Sequence, residues 1–462
     1  MQYKEKFNFT VKFLLIIFFS FLIMTNNSEA KHKKKKKRHK IVRIANINIK
    51  TSKLLKEQQI ADGLEYQQIL MGNGKYWFNV HIAEFDLHNP KLKLFISKAG
   101  ENINDLESLP TYVNDYNSTH QDSILISVNG NFWRAYSNSP IGPTIINGEV
   151  LEINKHKNWS SFFVDSANVP FIDNFDISGS FVLNNKKYNI DFIDKRYDSL
   201  GISYYNHFAG DTIPFIRTTA IARALESAYN QWQIELSDMG EDSTENPFDT
   251  VSFMNTFKAS EREKSIEQNL PKVLVKLLEP HAINKTFCGI VVKIKHSAIE
   301  CPENCVVVSF GKDLPDDVLP KINDTLKFTF ETNSNQDHRF VLGVSGTPRI
   351  ARKGNAKQES KEEGNFGKRF IYYQLPRTLL GYNANKTKMY FITVEGTNSK
   401  LRQYGANLND LSKIAKYLKL YDAINLDGGG SSTFVFAGKN LMRKYDPTSS
   451  RKISIIVGVK KK

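Results

Sequence analysis

Three short apolar runs in this chain end alike, each releasing a polar residue into a glycine. Ser123–Val128 leads to Asn129-Gly130, Met389–Val394 to Glu395-Gly396, and Ala423–Leu426 to Asp427-Gly428. Runs this short have strand length rather than helix length, and Gly, Asn and Asp bound them as turn residues do. Two readings follow. Asn-Gly and Asp-Gly are dipeptides that reverse strands. Three strands that release polar ends at one edge of a sheet also build the usual setting for a ligand site.

The rest of the chain supports a strand-rich body. Tyr76–Leu87 alternates with period two, Leu92–Ser97 reads as its neighbour, and Gly, Pro and Asn punctuate short strands through Phe192. Cys288–Phe310, Lys327–Val344, Lys388–Glu395, Thr433–Phe436 and Ile453–Val459 read as further strands. Leu106–Tyr116 reads as a helix, and Leu408, Leu411, Ala415 and Leu418 mark one face of another. Arg223–Leu278 is charged and helical in pattern, and is read as an insertion. Arg352–Arg369 is polar and glycine-containing, and is read as a mobile surface loop.

The 462 residues carry 63 Lys and Arg against 48 Asp and Glu, a net charge of +15. Lys31–Lys40 holds seven Lys and one Arg, so without it the balance falls by 8 to +7. A body this mildly basic does not imply nucleic-acid binding. The basic run reads as a solvated tail over residues 31–50 that can contact an anionic envelope surface. Before it, Phe13–Met24 is apolar but short for a membrane span, and Ser28 and Ala30 suit a cleavage site before Lys31. Residues 1–30 therefore read as a signal peptide cleaved near Ala30, and the protein as secreted or periplasmic.

Three cysteines make no disulfide framework, although Cys301 and Cys305 are close enough to close a small loop in an oxidising compartment. The ten histidines include no HExxH, so no cofactor is expected; a divalent cation stays open, though the spacing does not support one. The strongest local signal is Asn425–Ser432, NLDGGGSS. A buried strand delivers Asp427 into three glycines, where backbone N–H groups can nest an anion and Ser431 and Ser432 can add hydroxyls. No Lys follows, so it is not a nucleotide P-loop, and a strand rather than a helix comes next. Arg377 in Pro376-Arg377-Thr378 offers a rigid fork for phosphate, or else a structural ion pair; the same choice applies to Arg451.

Taken in order, VNGNFW (Val128–Trp133), PIGPTIINGEV (Pro140–Val150), PRTLLGY (Pro376–Tyr382), ITVEG (Ile392–Gly396), NLDGGGSST (Asn425–Thr433) and the closing RKISIIVGV resemble the phosphodiester glycosidase family. The likeness runs from about Ile124 to Val459. It implies a mixed α/β (α+β) fold with a central mixed sheet and flanking helices, over residues 121–462 with the insertion at 223–278, after a β-rich segment at 51–120. It implies an exported hydrolase that cleaves the anomeric C–O bond of a sugar-1-phosphodiester resembling a GlcNAc-1-phosphodiester, on a soluble substrate or an envelope polysaccharide. Carried over by match, Asp427 and Glu395 are the catalytic carboxylates. Asn129, Gly130, Arg377, Thr378, Gly428, Gly429, Gly430 and Ser431 are substrate- and phosphate-binding residues. Trp133 and Thr397 depart from the pattern. Two rival classes stay open at this point: a non-catalytic envelope polysaccharide-binding protein, and a metal-dependent phosphodiesterase that breaks the P–O bond with Asp427 and Glu395 as ligands.

Overall fold

The structure, a computed structural model, describes residues 47–134, 137–196, 198–214, 265–314, 318–442 and 450–462. The signal segment, nearly all of the basic tail and residues 223–264 of the expected insertion lie outside the described residues. Among those described, no helix is long and apolar enough to cross a membrane.

The strands that build the site are, in chain order, β1 (Thr51–Ala61), β2 (Leu64–Gly72), β3 (Trp77–Asp86), β4 (Leu92–Lys98), β5 (Ile124–Asn129), β6 (Arg349–Ala351), β7 (Arg377–Tyr382), β8 (Lys388–Val394), β9 (Asp422–Asn425), β10 (Phe434–Phe436), β11 (Lys439–Asn440) and β12 (Ile455–Lys461). They form a seven-stranded sheet, β1-β2-β3-β8-β7-β9-β6, and a five-stranded sheet, β11-β10-β5-β12-β4. An eight-stranded sheet, a second five-stranded sheet and two two-stranded sheets accompany them among the described residues. Lys272–Leu277, at the end of the expected insertion, is an interior strand of the eight-stranded sheet.

The expected mixed α/β fold with flanking helices is wrong: the protein is mostly β. Its described α-helices of more than one turn include α1 (Leu109–Thr119) and α3 (Leu408–Tyr417), with α2 (Lys368–Tyr372) only five residues long. The sheets cover one another instead. One face of the seven-stranded sheet packs Tyr66, Phe85, Leu380, Phe391, Ile424 and Leu426 against Ile126, Val128, Phe434 and Val457 of the five-stranded sheet. Each such apolar side chain, fully buried, contributes on the order of 1.5–3 kcal/mol, so sheet-on-sheet burial fills the place that helices were expected to take.

The opposite face packs Phe78, Val80, Leu379, Ile392, Val394 and Ala423 under α3. That helix begins with a capping box, in which the Asn407 side chain accepts from Asp410 N and Asp410 accepts from Asn407 N. Leu408, Leu411, Ile414 and Ala415 form its buried stripe. The N-terminal hairpin is part of the same sheet: β3 pairs with β8 from Lys388↔Asp86 to Val394↔Val80.

The polar stretch from Arg352 to Arg369 departs from expectation because it carries a buried acid. Glu363 accepts from Ser160 Oγ at 2.6 Å, Thr347 Oγ1 at 2.6 Å and Arg349 N at 2.8 Å. These three bonds pin the loop to the body. The cysteines are free thiols, and Cys301 is buried, which pushes its pKa up.

Candidate functional site

The three polar-glycine strand ends do come together. In the seven-stranded sheet β7 lies between β8 and β9, and both neighbours run antiparallel to it. Val394 pairs with Arg377 and Asn425 with Leu379. Glu395 and Asp427 therefore leave the sheet at the same edge, on either side of Pro376-Arg377. With about 4.8 Å per strand their backbones stand roughly 10 Å apart. Asn129 arrives from the other sheet at the end of β5. Its side-chain amide donates to Asp427 O at 2.7 Å, while its Oδ1 accepts from Thr378 Oγ1 at 2.7 Å and Thr433 N at 3.1 Å. One buried Asn thus ties β7, the glycine turn and β5 together. Gly130 follows because Ile455 O lies 2.9 Å from where a Cβ would stand, and its N–H donates to that oxygen at 2.7 Å.

The glycine turn is a short 3-10 turn, Gly429–Ser431, with Gly429 at φ +59°, in the left-handed region that favours glycine. Gly428 N donates to Asp427 Oδ1 at 2.8 Å, Gly429 N to Pro376 O at 2.9 Å, Ser431 N to Gly428 O at 3.1 Å and Ser432 N to Gly429 O at 3.3 Å. The backbone nest expected for an anion is therefore largely spent on the turn itself. What the turn offers instead are side chains. The hydroxyls of Ser431 and Ser432 are fully buried and have no hydrogen-bond partner among the described residues. Buried polar atoms are nearly always paired, so two orphans side by side mark a place for something else. Arg451 lies on the same turn, its Nη1 2.9 Å from the position a Cβ on Gly430 would take. A side chain there would have to displace the guanidinium.

Arg377 and Thr378 are sequence neighbours, but strand alternation sends them to opposite faces. Thr378 meets Asn129 between the sheets. Arg377 turns toward α2 and α3, where Nε donates to Ala406 O at 3.0 Å and Nη2 donates to Phe370 O at 2.6 Å, with the Phe370 ring 5.3 Å from its guanidinium carbon. It is 1% exposed, and burial lowers its pKa to about 10. The fork expected to grip phosphate grips main-chain carbonyls.

Glu395 is buried and does not stand alone. Its Oε1 is 2.8 Å from His81 Nε2, and His81 Nδ1 is 2.8 Å from Tyr66 Oη. Sequence reasoning missed His81 and Tyr66, since a histidine within an apolar strand usually belongs to the core. The signal that points to His81 is its position on β3 opposite Thr393, beside the acid that ends β8. Among the described residues no group of three or more His, Cys, Asp or Glu is placed to hold a metal ion.

Residues 288–460 match the family model for phosphodiester glycosidases. Over 108 residues the chain is 32% identical to N-acetylglucosamine-1-phosphodiester alpha-N-acetylglucosaminidase of Mus musculus, covering 21% of this chain and 20% of that protein. The Homo sapiens protein of that name is 32% identical over 111 residues, covering 22% of this chain and 21% of that one. The match thus spans about a fifth of the length of these curated relatives. In fold, the chain is similar to a hypothetical protein from Synechocystis at TM-score 0.59 and 15% identity, over 89% of this chain and 64% of that one. It is also similar to a protein of Burkholderia pseudomallei at TM-score 0.56 and 11% identity, over 89% and 97%. The motifs that close the site therefore carry a resemblance, in sequence, to the phosphodiester glycosidase family, matched over residues 288–460.

Proposed function

We propose that this protein hydrolyses a sugar-1-phosphodiester at the anomeric C–O bond, releasing free sugar and a phosphate monoester. The observation that carries the reading is the pair of orphan hydroxyls, Ser431 and Ser432, in a turn that begins at one carboxylate, Asp427, while a second, Glu395, ends a strand at the same sheet edge. A phosphate monoester is already a good leaving group, so the reaction needs little acid catalysis. It needs a donor set for the departing phosphate and a carboxylate near an oxocarbenium-like centre.

In this reading the Ser431 and Ser432 hydroxyls donate to the phosphate oxygens, and the Arg451 guanidinium on the turn balances their charge. Water adds to the anomeric carbon, one carboxylate takes the proton that water loses, and the C–O bond breaks with its electron pair passing to the phosphate oxygen. The other carboxylate faces the developing positive charge. Asn129 holds the turn and β7 at fixed spacing while this happens. The sugar, the aglycone and export to an envelope polysaccharide belong to the same proposal.

Product analysis in 18O-labelled water on a synthetic GlcNAc-1-phosphodiester, with and without chelator, tests it. Free GlcNAc carrying the label is the expected result. Label in the phosphate together with GlcNAc-1-phosphate would overturn the reading in favour of P–O cleavage, and binding without any product would make the protein a carbohydrate-binding one.

A further inference from the structure

The buried file Tyr66–His81–Glu395 runs across three adjacent strands, β2, β3 and β8, on the face that meets the second sheet. All three residues are at most 3% exposed. Phe434 lies 5.6 Å from the Tyr66 ring and 5.8 Å from the imidazole, and Phe436 stacks on Tyr66 at 6.5 Å, so aromatic rings from β10 wall the file in. A purely structural histidine in a core needs two hydrogen bonds. This one makes them to a phenol on one side and to the site's acid on the other.

A neutral imidazole carries one N–H and one acceptor nitrogen, and the partner of one decides the state of the other. Burial and the neighbouring Glu395 push the Tyr66 phenol up, so its O–H keeps its proton. His81 Nδ1 is the hydrogen-bond partner the structure gives that hydroxyl. The phenol donates, Nδ1 accepts, and the proton of the ring sits on Nε2, aimed at Glu395 Oε1. A donor on a carboxylate favours its charged form. The backbone of the acid is fixed as well, because Glu395 N donates to Asn79 O at 3.0 Å and Gln68 Nε2 donates to Asn79 Oδ1 at 3.1 Å.

We propose that Tyr66 and His81 are positioning residues, which lock one histidine tautomer and so present Glu395 to the site as an oriented anion. The inference rests on the proposed hydrolysis for its kinetic consequence, though the tautomer lock itself does not. Lys56 of β1 also sets its ammonium 5.8 Å from the Tyr66 ring centroid, and β10 contributes uncharged rings.

The test has two arms. In the first, 15N-histidine NMR of the full chain reads the tautomer of His81 in wild type and in Tyr66→Phe, which keeps the ring contacts. The expected result is a single Nε2–H tautomer in wild type and a mixed or titrating imidazole in Tyr66→Phe. A wild-type His81 that carries its proton on Nδ1, or titrates freely, overturns the proposal whether or not the protein is a hydrolase. In the second, sugar release is followed against pH. His81→Leu should lower kcat about tenfold or more with KM little changed. It should also move the acidic limb of kcat upward, because Glu395 loses the His81 donor. His81→Gln, which still offers an N–H, should recover most of both. A folded His81→Leu protein with the wild-type limb and kcat overturns the proposal. Should wild type release no sugar, the first arm alone decides, and the hydrolysis falls separately.

Discussion

Replacing Arg377 by Lys keeps the charge and removes the fork, and the structure says what that should cost. The guanidinium makes two close charged hydrogen bonds to carbonyls, Ala406 O and Phe370 O, and a longer one to Tyr373 O, at a site 1% exposed. An ammonium on a flexible stem can satisfy one of the close pair, so one close bond is lost and one carbonyl left unpaired. A hydrogen bond to a charged group is worth about 1.5–3 kcal/mol. Loss of the contact with the Phe370 ring adds on the order of 0.5–1 kcal/mol. Destabilisation should therefore total about 2–4 kcal/mol. Domains of 150–250 residues lose roughly 2–4 °C per kcal/mol, which puts the fall in Tm at about 4–16 °C. Turnover per folded molecule, taken from single-turnover rates below the transition, should stay within about threefold of wild type. A variant with wild-type Tm whose sugar release falls a hundredfold would refute this reasoning and return Arg377 to the phosphate.

Asp427→Asn should fold normally, since an amide oxygen can still accept from Gly428 N, while sugar release falls by roughly a hundredfold or more; near-normal turnover with a lowered Tm would make the acid structural. Ser431→Ala should leave stability unchanged or raise it by up to about 1 kcal/mol, because it removes a buried hydroxyl that has no partner among the described residues. The same variant should weaken substrate binding or slow turnover severalfold, and a loss of stability instead would show a protein partner. Burial raises the pKa of Glu363, so the folded protein holds that proton to higher pH than the unfolded chain. Its contribution is therefore present below the unfolded value of about 4.3 and is lost as pH rises through the folded one, by up to about 1.4 kcal/mol per unit. Denaturant titrations across that window should show Glu363→Gln with a flatter pH dependence than wild type, and parallel curves would contradict it.

The strands at the site were legible because each is a buried apolar run with a polar-glycine end: Ile124–Asn129, Lys388–Val394 and Asp422–Asn425 lie within a residue or two of expectation. Helix α3 was legible from its stripe. The β1–β2 hairpin was not, because TSKLLKEQQIA is an exposed edge strand and carries no buried face to alternate. The fold class was misread for a related reason. Sheet-on-sheet packing is a fact about which strands face each other across the core, and no local pattern records it. Local order hid the site's polarity too. Arg377 and Thr378 look like one motif, yet a pleated strand must divide them, one to the helices and one to the seam between sheets. His81 sat inside a correctly expected strand, but its importance comes from Tyr66 and Glu395, 15 and 314 residues away.

Asn129 binds the end of one sheet to the turn and strand of another, which makes the site a property of assembly rather than of either layer. A chain that has formed the seven-stranded sheet but not yet docked the second has both carboxylates at one edge, without Asn129 to hold the glycine turn against β7. A half-assembled site of that kind would lack the bonds that fix the glycine turn. The converse also holds: a ligand that touches the finished site binds the docked form alone and must oppose separation of the layers by mass action. Substrate is in that sense a clasp, and resistance to proteolysis should rise with its concentration.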